Sequence, residues 1–207
     1  MAAHYKIPDF WTQKAKSEGF PARSVYKLQE IDRKFSMFRP GTRVLDLGAA
    51  PGSWSLYILR KFNGKAAVTA VDLSPFSREY DRGLFDKATM IRGDITAPDI
   101  KEKIRNYGPF DVVLSDAAPA TTGNAMVDAA RSFILAEIAL EYAQNMLVRG
   151  GNCVIKVFQS EESSALLRAI RTRFTRGIGF KPEACRSESF ETYYIGIGFS
   201  TFNEKPD

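Results

Sequence analysis

The run Val44-Leu45-Asp46-Leu47-Gly48-Ala49-Ala50-Pro51-Gly52-Ser53-Trp54 joins an apolar segment to an amphipathic one through a tight turn of small residues. At the carboxyl end of a buried strand such a turn lets a nucleotide-like ligand approach the backbone, and Gly48 and Gly52 carry no Cβ to block it. The spacing is not G-x-G-x-x-G, and no lysine stands where a P-loop needs one, so a pyrophosphate is not the obvious ligand. Acidic residues sit at the neighbouring apolar runs: Asp46 in the first, Asp72 after Ala67–Val71, and Asp94 after Met90-Ile91-Arg92-Gly93. Asp72 is placed to accept hydrogen bonds from two ribose hydroxyls, and Asp94 from an exocyclic amine. Singly, each aspartate reads as a helix N-cap or turn residue. Three around one glycine turn suit an adenosine with a positive centre better than a phosphate. S-adenosylmethionine fits that description.

Composition narrows the remaining chemistry. One histidine (His4) and two cysteines (Cys153, Cys185) are too few for a Cys/His zinc centre, and no metal is expected. A Ser-His-Asp triad would have to draw its histidine from the start of the chain. The cysteines read as small core or surface residues, and two cannot build a disulfide framework, so a reducing compartment is expected. Hydrophobic residues at 44% and charged ones at 26% describe a globular chain, and 207 residues suit one well-cored domain. No stretch approaches the roughly 18 apolar residues of a membrane span, and MAAHYKIPDF holds no signal-peptide core. These readings predict a cytoplasmic protein without membrane contact.

The elements that must position the acidic residues follow from periodicity. Short apolar runs rich in branched residues predict buried strands at Arg43–Leu47, Ala67–Asp72, Thr89–Arg92, Asp111–Ser115, Asn152–Phe158 and Tyr193–Ser200. Between them, Ser53–Phe62, Asp128–Leu147 and Ser163–Phe174 carry apolar residues at helical spacing. Nearly continuous apolar strands alternating with helices predict a doubly wound α/β fold, a parallel sheet covered on both faces. The last strand has the option of adding antiparallel, which spacing alone does not decide.

Charge is uneven along this frame. Residues 1–40 hold eight Lys/Arg, among them Arg23, Lys27, Lys34 and Arg39, against four acids. A second basic stretch has Arg168, Arg171, Arg173, Arg176, Lys181 and Arg186 against Glu183 alone. A basic helix face is more often merely solvated. Two basic stretches flanking a nucleotide-type core, on a chain of net charge +5, instead suggest a surface for a phosphate backbone.

The run Asp46–Trp54, with Leu114-Ser115-Asp116-Ala117-Ala118-Pro119 and Val154-Ile155-Lys156-Val157-Phe158, closely resembles the FtsJ/RrmJ family of ribose 2′-O-methyltransferases. The resemblance extends upstream through Lys14–Phe20 and Ala22–Ile31 and downstream to Lys181-Pro182 and Ser189–Tyr193, nearly the whole chain in order. It implies a single-domain Rossmann-like fold that binds S-adenosyl-L-methionine, with residues 41–203 as the methyltransferase domain, residues 1–40 as a basic helical extension packed on it, and 204–207 as a tail. By motif the cofactor would be held by Gly48, Gly52, Trp54, Asp72, Asp94 and Asp116. Ser53 departs from the second glycine common in bacterial members, and its small hydroxyl is expected to leave binding intact.

The family's catalytic Lys-Asp-Lys-Glu tetrad maps by motif onto Lys27, Asp116, Lys156 and Glu191. The chemistry makes sense of these types. A ribose 2′-hydroxyl must lose its proton as the methyl is attacked, and the usual base is histidine. A lysine can serve if desolvation or a second cation holds part of it neutral, while carboxylates oppose that shift. Lys156, on an apolar strand, is the expected base, and the alternative is an edge lysine reaching water. The resemblance implies an RNA substrate, and for so compact a member a uridine of large-subunit ribosomal RNA, modified by a monomer during ribosome maturation. Alternatives are a transfer-RNA or mRNA-cap substrate, or a non-catalytic RNA-binding assembly factor. Arg23, Lys34, Arg39, Arg168, Arg171, Arg173 and Arg176 are the candidate phosphate contacts, and Trp11 or Tyr26 a candidate base-stacking surface.

Overall fold

The computed structural model describes residues 10–120, 122–186 and 189–200; His4 and the 204–207 tail lie outside the described residues. Seven strands form one sheet: β1 (Arg43–Leu47), β2 (Ala67–Asp72), β3 (Thr89–Arg92), β4 (Phe110–Ser115), β5 (Leu147–Phe158), β6 (Phe174–Phe180) and β7 (Glu191–Phe199). Their order is β3-β2-β1-β4-β5-β7-β6. Strands β1 to β5 pair parallel, whereas β7 pairs antiparallel with both β5 and β6. The order in which strands are added reverses between β1 and β4, and a crevice at the carboxyl ends of the strands results.

Alternation along the strands distributes side chains between two covering layers. Val44, Val68, Ala70, Val112, Leu114 and Val154 pack with Leu28 and Ile31 of α2 (Val25–Phe35) and Leu56 and Leu59 of α3 (Ser53–Lys61). Leu45, Leu47, Val113 and Ile155 face the other way, against α5 (Pro98–Arg105), α6 (Ala125–Met146) and α7 (Ser163–Arg173). Ala15 of α1 (Phe10–Ser17) joins the first cluster, and α4 (Arg82–Phe85) adds Phe85 to it. The fold is the Rossmann-like α/β arrangement expected from the sequence.

The sequence predicts no strand between α7 and the last one, yet the segment Phe-Thr-Arg-Gly-Ile-Gly-Phe forms strand β6 at the sheet edge. Its two glycines and exposed polar residues erase the strand signal, and Gly177 is required because a Cβ there would lie 2.6 Å from Arg171 Cγ. The last strand is antiparallel, as β5 is flanked by a chain that returns from the far edge.

Candidate active site

A cavity of about 480 Å³ opens at the carboxyl ends of β1 to β4, lined by Gly48, Asp72, Asp94, Asp116 and their neighbours. Gly48 (φ +69°) lets β1 turn beside β4, where a Cβ would fall 2.5 Å from Ala117 Cα. Its N–H and that of Ala49 donate to Val71 O, at 2.9 and 3.2 Å, which pins the turn to β2. Asp72 is fixed by the N–H groups of Ala50 (2.9 Å) and Ser74 (2.7 Å), one on each carboxylate oxygen. Asp94 Oδ1 accepts from both the N–H and the hydroxyl of Thr96 at 2.8 Å, which lowers its pKa. Three carboxylates and no Lys or Arg line this cavity among the described residues. Such walls repel phosphate and suit a ligand bearing hydroxyl and amine donors and a positive charge.

Beyond Asp116 a chain of buried polar groups crosses the sheet. Lys156 shares its face of β5 with Val154, so alternation aims its ammonium toward α2, which presents Lys27. Lys156 Nζ lies 3.0 Å from Asp116 Oδ1 and donates to the Asp116 carbonyl at 2.5 Å. Lys27 Nζ meets Glu191 Oε1 at 2.5 Å. The Tyr193 hydroxyl joins the two pairs, 2.8 Å from Asp116 Oδ1 and 2.5 Å from Glu191 Oε1. Lys27 and Lys156 are 8% and 7% exposed, so neither reaches out to water as an edge lysine would. Burial pulls the Lys27 pKa down, but Asp116 and Glu191 outweigh it and hold it above the usual lysine value. Burial likewise raises Asp116, and the two ammonium groups with the Tyr193 hydroxyl overcome this and lower it. All four residues of the predicted tetrad therefore converge.

Other predicted positions do different work. Gly52 (φ +112°) does not line the cavity; a Cβ there would press Phe85 at 2.8 Å. Trp54 is 2% exposed, and its Nε1 donates to Ser24 O at 2.8 Å, tying α3 to the start of α2 instead of facing the cavity. Ser53 also turns away, its hydroxyl accepting the Ala22 N–H at 2.7 Å. Tyr26 is buried, its hydroxyl bonded to Glu18 at 2.9 Å and its ring covered by Lys14, so no base can stack on it there. Trp11 is itself half-buried against that ring, 5.0 Å away.

The basic residues are dispersed. Arg23 donates to Ala184 O at 3.0 Å, beside the loop that leads to Glu191, and Lys34 lies over the Phe180 ring. Arg39 precedes β1 and approaches Asp111 at the start of β4, the amino ends of the parallel strands. Arg171 and Arg173 occupy the last turn of α7, and Arg176 the first half of β6, paired with Ile197. These four stand at the end of the sheet opposite the cavity, and Arg168 stands midway along α7. Sequence adjacency had grouped them with Lys181, which flanks the site through its bond to Ser189 O at 2.7 Å. The return path of α7 separates them.

Tyr193 escaped the sequence reading, and Asp46 entered it only as one of the acids around the glycine turn. Tyr193 follows Glu191 by two positions on a strand, which puts both on one face; that spacing was its available signal. Asp46 is fully buried beneath the cavity, one oxygen accepting from Ser55 Oγ at 2.7 Å and the other without a partner. Desolvation first, then the Asp116 and Asp72 charges, raise its pKa to about 7. Cys153 and Cys185 are buried, and desolvation raises their thiols to about 12 and about 11, which makes neither a nucleophile. Among the described residues no cluster of His, Cys, Asp and Glu could hold a metal, and no helix is long and apolar enough to cross a membrane.

Comparison with known proteins agrees with this geometry. A family model described as "FtsJ-like methyltransferase" matches residues 20–199. The chain is 50% identical to a ribosomal RNA large subunit methyltransferase E of Treponema denticola, over 94% of this chain and 96% of that one. It is 45% identical to the protein of the same name from Desulfosudis oleivorans, over 93% and 91% of the two chains. Among solved structures, a ribosomal RNA methyltransferase of Plasmodium falciparum superposes with a TM-score of 0.74 at 22% identity, over 87% of this chain and 98% of that one. Human methyltransferase-like protein 13, solved with S-adenosylhomocysteine (SAH), gives 0.58 at 12% identity, over 87% and 85%. The last two show the fold alone.

Proposed function

This chain belongs to the FtsJ-like methyltransferase family, and from that premise we propose that it transfers a methyl group from S-adenosylmethionine to a ribose 2′-oxygen of large-subunit ribosomal RNA. The observation that carries the reading is the buried chain Lys27–Glu191–Tyr193–Asp116–Lys156, which ends beside an acidic cavity of nucleoside size. The relatives from Treponema denticola and Desulfosudis oleivorans, whose names specify the ribosomal large subunit, support the substrate. In this reading residues 1–40 are a basic extension of the 41–203 catalytic domain, and the protein works as a cytoplasmic monomer.

Gly48, Asp72, Asp94 and Asp116 would hold the cofactor, with Gly52 and Trp54 building the turn and its helix from behind. Asp72 suits the ribose hydroxyls, Asp94 an exocyclic amine, and Asp116 the positive end. When bound, the cofactor supplies a methyl group on a positively charged sulfur. The chain's own groups handle the acceptor. Lys156, having first given its ammonium proton to solvent, takes the 2′-hydroxyl proton as the oxygen–methyl bond forms and the sulfur–methyl bond breaks, the donor leaving as a neutral thioether. Lys27, kept charged by Asp116 and Glu191, stabilises the developing negative oxygen. Because the groups share hydrogen bonds, they titrate as a unit. Alignment of oxygen, methyl and sulfur does much of the remaining work, with no covalent enzyme intermediate.

The test is transfer from labelled S-adenosylmethionine to undermethylated large ribosomal subunits, with free rRNA, tRNA and capped RNA alongside. Label in a ribose 2′-oxygen of the large-subunit RNA, lost in Lys156→Ala, is the expected result. Full turnover by Lys156→Ala overturns the base assignment. Label confined to tRNA or capped RNA overturns the substrate, and no label with intact cofactor binding overturns catalysis in favour of an assembly factor.

A further inference from the structure

A second cavity of about 560 Å³ lies beside the charged chain, walled by Phe158 and Gln159 at the end of β5, by Phe190, and by Met126 and Ala130 at the start of α6. The mechanism above leaves it unused. Resting on the methyl-transfer reading, we propose that this cavity receives the nucleobase of the nucleotide being methylated, turned out of its RNA and packed against Phe190 and Met126.

Continuity with the reacting groups comes first. Phe158 is two residues beyond Lys156 on the same strand and pairs in register with Glu191. Gln159 donates its N–H to Phe190 O at 2.8 Å, so the cavity wall extends directly from the strands that carry Lys156 and Glu191. Two residues of strand span about 7 Å, the scale of the step from a ribose 2′-oxygen to the body of its own base. A ribose seated at Lys156 thus delivers its base here or back across the acidic first cavity.

The lining then selects the part of the nucleotide. Asp128 and Glu162 belong to the wall, and no Lys or Arg does among the described residues. A phosphate would be repelled, whereas a base offers a neutral π-face and N–H groups that Gln159, Ser160 and Glu162 can accept. At the mouth, Phe190 is 66% and Met126 83% exposed. Large apolar groups left in water beside a polar-based cavity mark a ligand-covered surface. RNA enzymes that need access to a nucleotide splay its base onto such aromatic side chains.

The experiment is a two-by-two comparison of kcat/KM for methyl transfer. One axis is wild type against Phe190→Ala. The other is large-subunit RNA assembled intact or, by splint ligation, with an abasic residue at the methylated nucleotide. Phe190→Ala should lower kcat/KM on intact RNA by about 10- to 100-fold, the range for loss of one base–aromatic stack. Its S-adenosylmethionine affinity by calorimetry should equal that of wild type, which shows a folded protein. Wild type should lose a comparable factor on abasic RNA, and Phe190→Ala little more. Phe190→Leu should recover part of the loss. Independent losses that multiply, or unimpaired Phe190→Ala on intact RNA, overturn the proposal, the first outcome meaning that the cavity holds some other part of the particle. If wild type methylates intact RNA while these results fail, only the base pocket falls. If wild type methylates no RNA, the underlying reading falls with it.

Discussion

At Tyr193 a single hydroxyl stands within hydrogen-bond distance of two carboxylates, yet it has one proton to give. Burial first, then both acids, raise its pKa well above the usual value, so the phenol stays protonated and acts as a bridge. Tyr193→Phe leaves two carboxylates facing each other without it and should lower unfolding stability by about 1–3 kcal/mol, read from urea midpoints at neutral pH. An unchanged midpoint would show that the two lysines suffice. Asp46 gives a second prediction, with a definite sign. Its native carboxyl holds a proton up to about pH 7, whereas the unfolded chain releases it near its ordinary value of 3.8. A native pKa raised above the unfolded one means stability present at low pH and lost as pH rises through that window. From about pH 4 to about pH 7, wild type should therefore lose stability relative to Asp46→Asn, by roughly 1.4 kcal/mol per unit at most. Parallel stability curves for the two proteins would refute it. Neither role was legible from residue type alone: Asp46 read as one more acidic strand end, and only its burial distinguishes it from exposed Asp94.

The elements reach the site through a few close approaches. Gly48→Ala would need a left-handed backbone for a residue that disfavours it and would drive a methyl into Ala117. Backbone strain of about 1–3 kcal/mol should lower the melting temperature, and a displaced turn should weaken S-adenosylmethionine binding at least tenfold by calorimetry. Retained affinity would mean that the β1 turn yields without disturbing Asp72. The turn and the strands were readable because their signals are local: β1 is a buried, mostly apolar run interrupted by Asp46, and glycine has few reasons to follow it. Helices α3, α6 and α7 were legible for the same reason, with ends off by a few residues at most. Strand β6 was not, because its identity comes from pairing with β7 thirteen or more residues away and not from its own composition. At Trp54 the motif gives a position, and only packing shows that its indole bonds to Ser24 at the start of α2. The convergence of Lys27, Asp116, Lys156 and Glu191 was easier to foresee, because two lysines buried on an apolar frame have few partners other than the acids found beside them.

Across the whole molecule, the sheet separates two kinds of surface. Its carboxyl end gathers Asp72, Asp94 and Asp116, while exposed Arg39, Arg149, Arg171 and Arg176 lie toward the amino end, the first of them beside Asp111 of β4. From Arg176 to Phe180, which is level with Tyr193 beside the site, is four residues of strand, about 13 Å. Arginines so placed cannot touch the phosphate beside a ribose held at Lys156. If they bind RNA, they bind a segment elsewhere in the particle, and that separates affinity from chemistry. Each phosphate contact contributes about 0.7–0.9 to the dependence of log affinity on log salt. Replacing both Arg171 and Arg176 with glutamine should therefore reduce that slope by about 1.5 for large ribosomal subunits, while kcat at saturating subunits stays at the wild-type value. Arg23→Gln, which loosens the loop leading to Glu191 from its Ala184 anchor, should instead lower kcat. A salt slope unmoved by the double replacement would return the far arginines to the role of a solvated surface, and a fall in kcat would show that the two ends of the sheet are coupled through α7.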